Sequence, residues 1–198
     1  MSDRVLKVLA VSGSRNEKSV TRIVIREIAE QLKVPGIQVD VLDFFNEPLE
    51  LFNPDTAYSS PLFPALKKRV EEADVLILGT PDYHGSISSA LKSFLDHFWH
   101  EFAGKLFASV VASNEKGLTV TDQIRTVARQ CYAWTMPYGI SFAEKEDIQS
   151  GVVSSDSLKR RVAMLVRDIS VYGRVIAEQR LLDLNGNDAG FMARYRKV

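Results

Sequence analysis

The sequence has little of three things: cysteine, excess charge of either sign and long apolar runs. Its 198 residues include one cysteine, Cys131, which excludes an intramolecular disulfide framework and fits a reducing compartment. Lys and Arg together number 25, as do Asp and Glu, so no net field favours nucleic acid or an anionic membrane. The first apolar run is too short for a signal sequence or a membrane span. We therefore expect a cytoplasmic protein whose partner is a small molecule, with no nucleic acid and no membrane bound.

Apolar segments rich in Val, Ile and Leu alternate with longer segments whose apolar residues recur every three or four positions. This alternation is typical of βαβ units and of a parallel sheet covered on both faces. It predicts a single domain over residues 1–198, with a last helix at about 157–181 and an irregular polar tail at about 183–198. Strands are predicted at residues 4–11, 37–44, 74–80, 106–113 and 136–142. The expected fold is α/β, a three-layer flavodoxin-like sandwich whose five-stranded parallel sheet has the order 2-1-3-4-5.

The loop after the first strand, SGSRNEKSVTR, is short of glycine. Gly13 is its one glycine, so it matches neither a Walker loop nor a dinucleotide fingerprint. It offers hydroxyl groups, basic side chains and the amides of a helix that begins at about Ser19, which suits a terminal phosphomonoester. The alternative is that Ser19 only caps the helix and the charges are solvated. The polar residues concerned are Ser14, Arg15, Asn16, Ser19, Thr21 and Arg22.

The loop after the third strand, in the segment GTPDYHGSISSALKSFLDHF, carries planar side chains. Pro81 and Gly85 frame a turn, and Tyr83 and His84 lie at the strand end, where a planar ligand can stack. In the order 2-1-3-4-5 the first and third strands are neighbours, so the two loops line one crevice outside the carboxyl ends of the strands.

On these residues the chain resembles the NADPH-dependent FMN reductase family, a flavodoxin-like group that includes flavin, quinone, azo-dye and chromate reductases. The family's first pattern is similar to Gly13, Ser14, Arg15 or Asn16, Ser19 and Thr21. Its second pattern, Pro-Glu-Tyr-Asn-Gly-Ser and then Leu-Lys-Asn-X-X-Asp, is similar to Pro81–Ser86, Ala90–Ser93 and Asp96, with His84 where Asn is common. The similarity in element order runs from residue 4 to about residue 180.

The resemblance implies FMN as the bound cofactor. The phosphate would be held by Ser14, Ser19, Thr21 and the amide of Val20, with charge from Arg15. The isoalloxazine would be wrapped by Pro81, Asp82, Tyr83, His84, Gly85 and Ser86, with Tyr83 against the ring and the amides of His84 and Gly85 near its reactive edge. A third flavin loop, which departs from the family in having one glycine, would be Ser113, Asn114, Lys116 and Gly117.

The implied activity is ping-pong hydride transfer from NADPH or NADH to bound FMN and then to a small acceptor: a free flavin, quinone, azo compound or similar. No catalytic side chain is predicted, and the family implies a homodimer or homotetramer. Arg15 and Arg22 are candidates for the 2′-phosphate of NADPH. His97, His100 and Glu101 lie at helical spacing and are interpreted as a polar helix end or part of an interface, so no metal is predicted. The alternatives are a flavodoxin-type FMN electron carrier without NAD(P)H activity and a related domain that binds no flavin.

Overall fold

The computed structural model describes residues 4–196 and contains a parallel sheet in the predicted order. Strands β1 (Leu6–Ser12), β2 (Ile37–Asp43), β3 (Val75–Pro81) and β4 (Leu106–Ala112) are arranged as β2-β1-β3-β4. The fifth position is shared by two short strands, β5 (Trp134–Thr135) and β6 (Ile140–Phe142), both parallel to β4. The prediction of a flavodoxin-like parallel sheet is therefore confirmed.

The last predicted strand differs from the observed pair β5 and β6. Pro137 lies between the two strands and has no N–H to donate to a sheet partner. At Gly139 a Cβ atom would lie 2.2 Å from Ser109 Oγ, so the chain passes very close to β4 there. The segment therefore leaves the ladder after Thr135 and rejoins it at Ile140.

Helices cover both faces of the sheet. On one face α1 (Val20–Gln31) and α6 (Asp156–Asp168) share an apolar core with the sheet. On the other face lie α2 (Phe63–Glu72), α3 (Ser89–Asp96) and α4 (Leu118–Gln130). A short helix, α5 (Glu144–Asp147), precedes a hairpin of β7 (Ile148–Gln149) and β8 (Val152–Val153). These three layers place the carboxyl ends of β1, β3 and β4 at one edge.

The predicted last helix is two helices joined by a π-helical turn. The turn Ile169–Gly173 connects α6 to α7 (Arg174–Asn185). Gly173 lies against Val75, where a Cβ atom would come within 2.9 Å of Val75 Cγ2. The predicted polar tail then forms a 3-10 turn, Phe191–Tyr195, whose Met192 is buried. The tail's last residues, 197 and 198, lie outside the described part of the chain.

One cation is fully buried at the end of α2. Lys105 Nζ donates to the backbone carbonyls of Val70, Glu71 and Ala73, which have no acceptor role left inside the helix. Burial, with a smaller contribution from Arg180, lowers the pKa of Lys105 to about 7. This ammonium group therefore closes the helix on the side remote from the loops at the strand ends.

Candidate functional site

The first loop begins with a close approach between strands. The N–H of Gly13 donates to the carbonyl of Gly79 at 2.8 Å. A Cβ atom on Gly13 would lie 2.6 Å from that oxygen and 2.9 Å from Leu91 Cβ. Glycine is therefore required here for packing, which explains why the loop keeps one glycine although it lacks the others of a dinucleotide fingerprint.

The rest of the loop forms a concave seat at the start of α1. The Asn16 amide donates to Ser14 Oγ at 3.2 Å, and the Arg22 amide donates to Ser19 Oγ at 3.2 Å. Ser19 is thus the N-cap, and its own O–H is still available as a donor. The amides of Val20 and Thr21 belong to the first turn and have no acceptor within the helix. Hydroxyl groups and open amides at a helix N-terminus form an anion-binding arrangement.

The two arginines of this loop point away from the seat. Arg22 Nε lies 2.7 Å from Asp43 Oδ2, and the same guanidinium donates to the carbonyls of Glu17 and Asn16. Arg15 Nη2 donates to the carbonyl of Leu49 at 2.9 Å. The structure therefore does not bring Arg15 to the seat, because its side chain turns to the connection after β2. Neither guanidinium lines the groove between the loops.

The loop after β3 is a two-residue hairpin. Tyr83 and Ser86 exchange backbone hydrogen bonds of 3.0 and 3.1 Å, and His84 and Gly85 have φ values of 58° and 75°. Two central residues with positive φ define a type I′ turn, and histidine is among the residues enriched in this region. The turn leaves the Tyr83 side chain 53% exposed, so its ring is accessible to a ligand.

Two side chains hold this hairpin from either side. Asp82 Oδ1 accepts from the Gly85 amide at 2.8 Å, and Asp82 Oδ2 accepts from Ser113 Oγ at 2.7 Å. On the other side, Gln123 of α4 accepts from Ser86 Oγ and from the amide of Ile87, and donates to the carbonyl of Gly85. The Gly85 amide, predicted to face the flavin edge, is therefore already bonded to Asp82. Gln123 was not foreseen from the sequence.

The hairpin is also tied to the first loop. Ser88, the N-cap of α3, donates through its hydroxyl to the carbonyl of Gly13, and its amide donates to Thr80 Oγ1 at 2.9 Å. The hydrogen bond to Gly13 fixes the position of the hairpin relative to the concave seat at the start of α1.

The third loop, which follows β4, contributes Ser113 and Asn114 to the site. The Ser113 amide donates to the carbonyl of Phe142 at 2.8 Å, which aligns the ends of β4 and β6. Lys116 and Gly117 both have positive φ, and a Cβ atom on Gly117 would lie 2.6 Å from Val111 Cγ1. Gly117 therefore serves the backbone turn into α4.

The three loops enclose one groove of about 220 Å³. The groove contains nine of the predicted residues, and an adjoining cleft of about 340 Å³ contains His84 and Gly85. Ser86 and Gly117 line neither, and Lys116 lines a third cleft. Asn16, Lys18, Ala112 and Glu144 also line the groove, and Lys18 is the cation that the sequence-based assignment missed. The nine predicted residues are Ser14, Ser19, Val20, Thr21, Pro81, Asp82, Tyr83, Ser113 and Asn114.

The third cleft, of about 580 Å³, lies along the exposed edge of the sheet. Arg125 Nη2 donates to the carbonyl of Pro137 at 2.8 Å, and Arg161 donates to that of Ser141. Arg125 belongs to α4 and Arg161 to α6, and covering a sheet edge with side chains from neighbouring helices discourages its pairing with another sheet. Burial, with the hydrogen bond to Asp168, raises the pKa of Tyr138 above its ordinary range. Lys116 faces this cleft, so the structure separates it from the groove.

His97 and His100, which follow α3, contact other groups of the protein. His97 Nδ1 lies 2.7 Å from the carbonyl of Ser93, and His100 stacks on Trp99. Among residues 4–196 no group of three potential metal-binding side chains is found. Within the same range no helix has the length and apolarity needed to cross a membrane.

A seat for one phosphate group, joined by a hairpin with an exposed aromatic ring, defines a flavodoxin-like protein built for a phosphorylated planar cofactor. The model of the NADPH-dependent FMN reductase family matches residues 6–147, and the chain belongs to that family. Its activity is that of an FMN-dependent NAD(P)H oxidoreductase, with FMN as cofactor and NADPH as electron donor. The groove fits FMN, since it supplies phosphate donors and a stacking surface in one crevice.

The proteins to which this chain is similar are consistent with its membership of this family. The FMN-dependent NADPH-azoreductase of Staphylococcus aureus is 29% identical over 157 residues, covering 72% of this chain and 82% of the relative. An oxidoreductase from Corynebacterium diphtheriae has a similar solved structure, with a TM-score of 0.70, 16% identity and coverage of 88% and 98%. A flavoenzyme NAD(P)H:(acceptor) oxidoreductase from Paracoccus denitrificans gives a TM-score of 0.67 at 18% identity, covering 88% and 98%. The two solved structures therefore share the fold of this chain.

Proposed function

We propose that the groove between the three loops binds FMN and that the enzyme works by a ping-pong cycle, with NADPH followed by a small aromatic acceptor. The observation that carries the proposal is the direct link between the helix N-terminal seat and the Tyr83 hairpin through Ser88 and Gly13. The electron donor and the acceptor would occupy the same open crevice in turn.

The side chains of the groove have distinct roles in this proposal. FMN supplies the hydride chemistry when it is bound. Ser14, Ser19 and the first amides of α1 would donate to its phosphate, and Lys18 would supply the positive charge. Tyr83 would support the ring, and Asp82 would hold the hairpin in position. The chain's contribution is then binding and orientation.

We further propose an azo compound, quinone or free flavin as acceptor. The name of the Staphylococcus aureus relative supports an azo compound. The cleft beside His84 and Gly85 continues the groove, because both are lined by Asp82, Ser113 and Asn114. A flat aromatic acceptor fits such an open space. The electron-carrier alternative is less favoured, because the balanced charge of the chain gives no strongly acidic overall field for docking a protein partner.

We also propose a homodimer or homotetramer located in the cytoplasm. The outward side of α6 and α7 exposes Met164, Val171, Val175 and Leu182, opposite the buried Leu165 and Ala177. A row of exposed apolar residues on one helix face is typical of a contact between subunits. The single buried cysteine supports a reducing compartment.

The experiment that tests the function has two stages. FMN and riboflavin are first titrated into the apoprotein, and the phosphate seat predicts much tighter binding of FMN. The FMN-loaded protein is then mixed anaerobically with NADPH and, separately, NADH, and the loss of oxidised-flavin absorbance is followed. Rapid bleaching that is reversed by an azo dye or quinone is the expected result. Tight FMN binding without bleaching by either donor would favour the electron carrier, and equal binding of riboflavin would refute the phosphate seat.

A further inference from the structure

We propose that His84 is a catalytic residue that donates the proton needed when the acceptor is reduced. The proposal rests on the proposed function, since it concerns the half of the cycle in which an azo compound or quinone takes up electrons. It assigns a role to the one position in the hairpin where this chain carries a titratable ring in place of the family's common Asn.

Hydrogen bonds hold the backbone on either side of His84 at the mouth of the site. It is the first central residue of the type I′ turn, with φ 58°, and the next residue is bonded through its amide to Asp82 and through its carbonyl to Gln123. The side chain is exposed and lines the cleft of about 340 Å³. Because Asp82, Ser113 and Asn114 line both this cleft and the flavin groove, an acceptor stacked in the groove would lie beside the imidazole.

The imidazole ring of His84 is available for proton transfer. Within residues 4–196 its ring has no hydrogen-bond or ionic partner, whereas His97 contacts the carbonyl of Ser93 and His100 stacks on Trp99. The charged groups that face it are the carboxylates of Asp82 and Glu115, with the ammonium of Lys116 next along the chain. Both Asp82 oxygens already accept hydrogen bonds. The ring nitrogens of His84 are therefore open to a molecule in the cleft, as a general acid requires.

The chemistry balances with an azo acceptor. A hydride that originates from NADPH bonds to one nitrogen, and the π bond of N=N breaks. The electron pair left on the second nitrogen takes a proton from the His84 imidazolium, which gives the hydrazine. The neutral imidazole regains a proton from water. With a quinone the same proton goes to the oxygen that receives the electron pair.

The variant His84→Asn separates this role from the turn itself. Histidine could be present only because it tolerates a left-handed backbone, and Asn tolerates that conformation at least as well. His84→Asn therefore keeps the hairpin and removes the titratable ring. His100→Asn, in the 3-10 turn His100–Phe102 that follows α3, is the matched control because it changes the same residue type outside the site.

The test follows the oxidative half-reaction. FMN-loaded protein is reduced with one equivalent of NADPH under anaerobic conditions and mixed with methyl red or with ferricyanide, a one-electron acceptor that needs no proton. For His84→Asn we expect the methyl red rate to fall about 100-fold relative to the ferricyanide rate of the same FMN-loaded variant, so that any change in FMN binding or in reduction by NADPH cancels. The wild-type methyl red rate should decrease with rising pH, and the variant's rate should not show this dependence.

A second measurement has a spectroscopic readout. The imidazole of His84 is titrated by NMR in the oxidised protein, and its midpoint should coincide with that of the wild-type pH–rate profile. Full methyl red activity in His84→Asn, or an equal loss with ferricyanide, would overturn the proposal. Failure of NADPH to bleach the flavin in the wild type would instead refute the proposed function, so the two failures are distinguishable.

Discussion

Replacing Gln123 by Ala should weaken FMN binding although this side chain does not line the groove. Gln123 bonds to Ser86 Oγ at 3.0 Å, the Ile87 amide at 3.2 Å and the Gly85 carbonyl at 3.1 Å. Each such bond contributes about 1 kcal/mol net. Because the site is partly exposed, water replaces part of the loss, and about half of the total, ~1.5 kcal/mol, remains. The hairpin must then be ordered by the ligand, so the FMN dissociation constant should rise about tenfold.

The assay is titration of FMN into apoprotein, followed by the quenching of flavin fluorescence. Gln130→Ala is the control, since Gln130 lies at the exposed end of the same helix and the substitution is of the same type. Thermal unfolding of both apoproteins checks that the fold is retained. An FMN affinity of Gln123→Ala within twofold of the wild type would show that the hairpin is held without this clamp, and the reasoning would fail.

Three further changes test other parts of the structure. Lys18→Ala should weaken FMN binding about fivefold at low salt and less at high salt, whereas Arg15→Ala should leave it nearly unchanged; the opposite ranking in the same titration would restore the original assignment of Arg15. Lys105→Met should lower the free energy of unfolding by about 3 kcal/mol in urea, because three buried carbonyls at the end of α2 lose their donor, and a change below about 1 kcal/mol would refute that role. Val175→Asp should convert the proposed oligomer to a smaller species in light scattering with FMN binding retained, and an unchanged mass would exclude the outward face of α7 as the interface.

Much of the fold follows from the sequence because its signals are local and repeated. Apolar strand segments and helical stripes recur along the chain, and a parallel sheet with helices on both faces is the arrangement that buries them all. The same pattern could not divide the last strand, since the break depends on how closely Gly139 approaches Ser109 on β4. The π-helical turn was missed for a similar reason, because Gly173 packs against Val75 of a different element.

The candidate site was predictable in its location and less so in its individual contacts. The loops after β1 and β3 stood out by residue type, and the sheet order brings them together. Which cation of the first loop faces the groove depends on competing acceptors: Arg15 reaches the carbonyl of Leu49, and Arg22 reaches Asp43, leaving Lys18. Those acceptors lie at the end of β2 and in the connection after it. The sequence of the loop alone therefore could not show which of its three cations faces the groove.

The hairpin shows why the amides of a binding loop cannot be counted from the sequence. Both His84 and Gly85 have backbone N–H groups, and the resemblance assigned both to the flavin edge. Asp82, which is shorter by one methylene than the Glu common at this position, accepts from the Gly85 amide and from Ser113 at once. One amide is thereby used to join the second and third loops, and the hydrogen-bonding capacity left at the reactive edge lies with His84. Of the two residues assigned to the flavin edge, His84 is then the one whose hydrogen-bonding groups are not used by other groups in the described part of the chain.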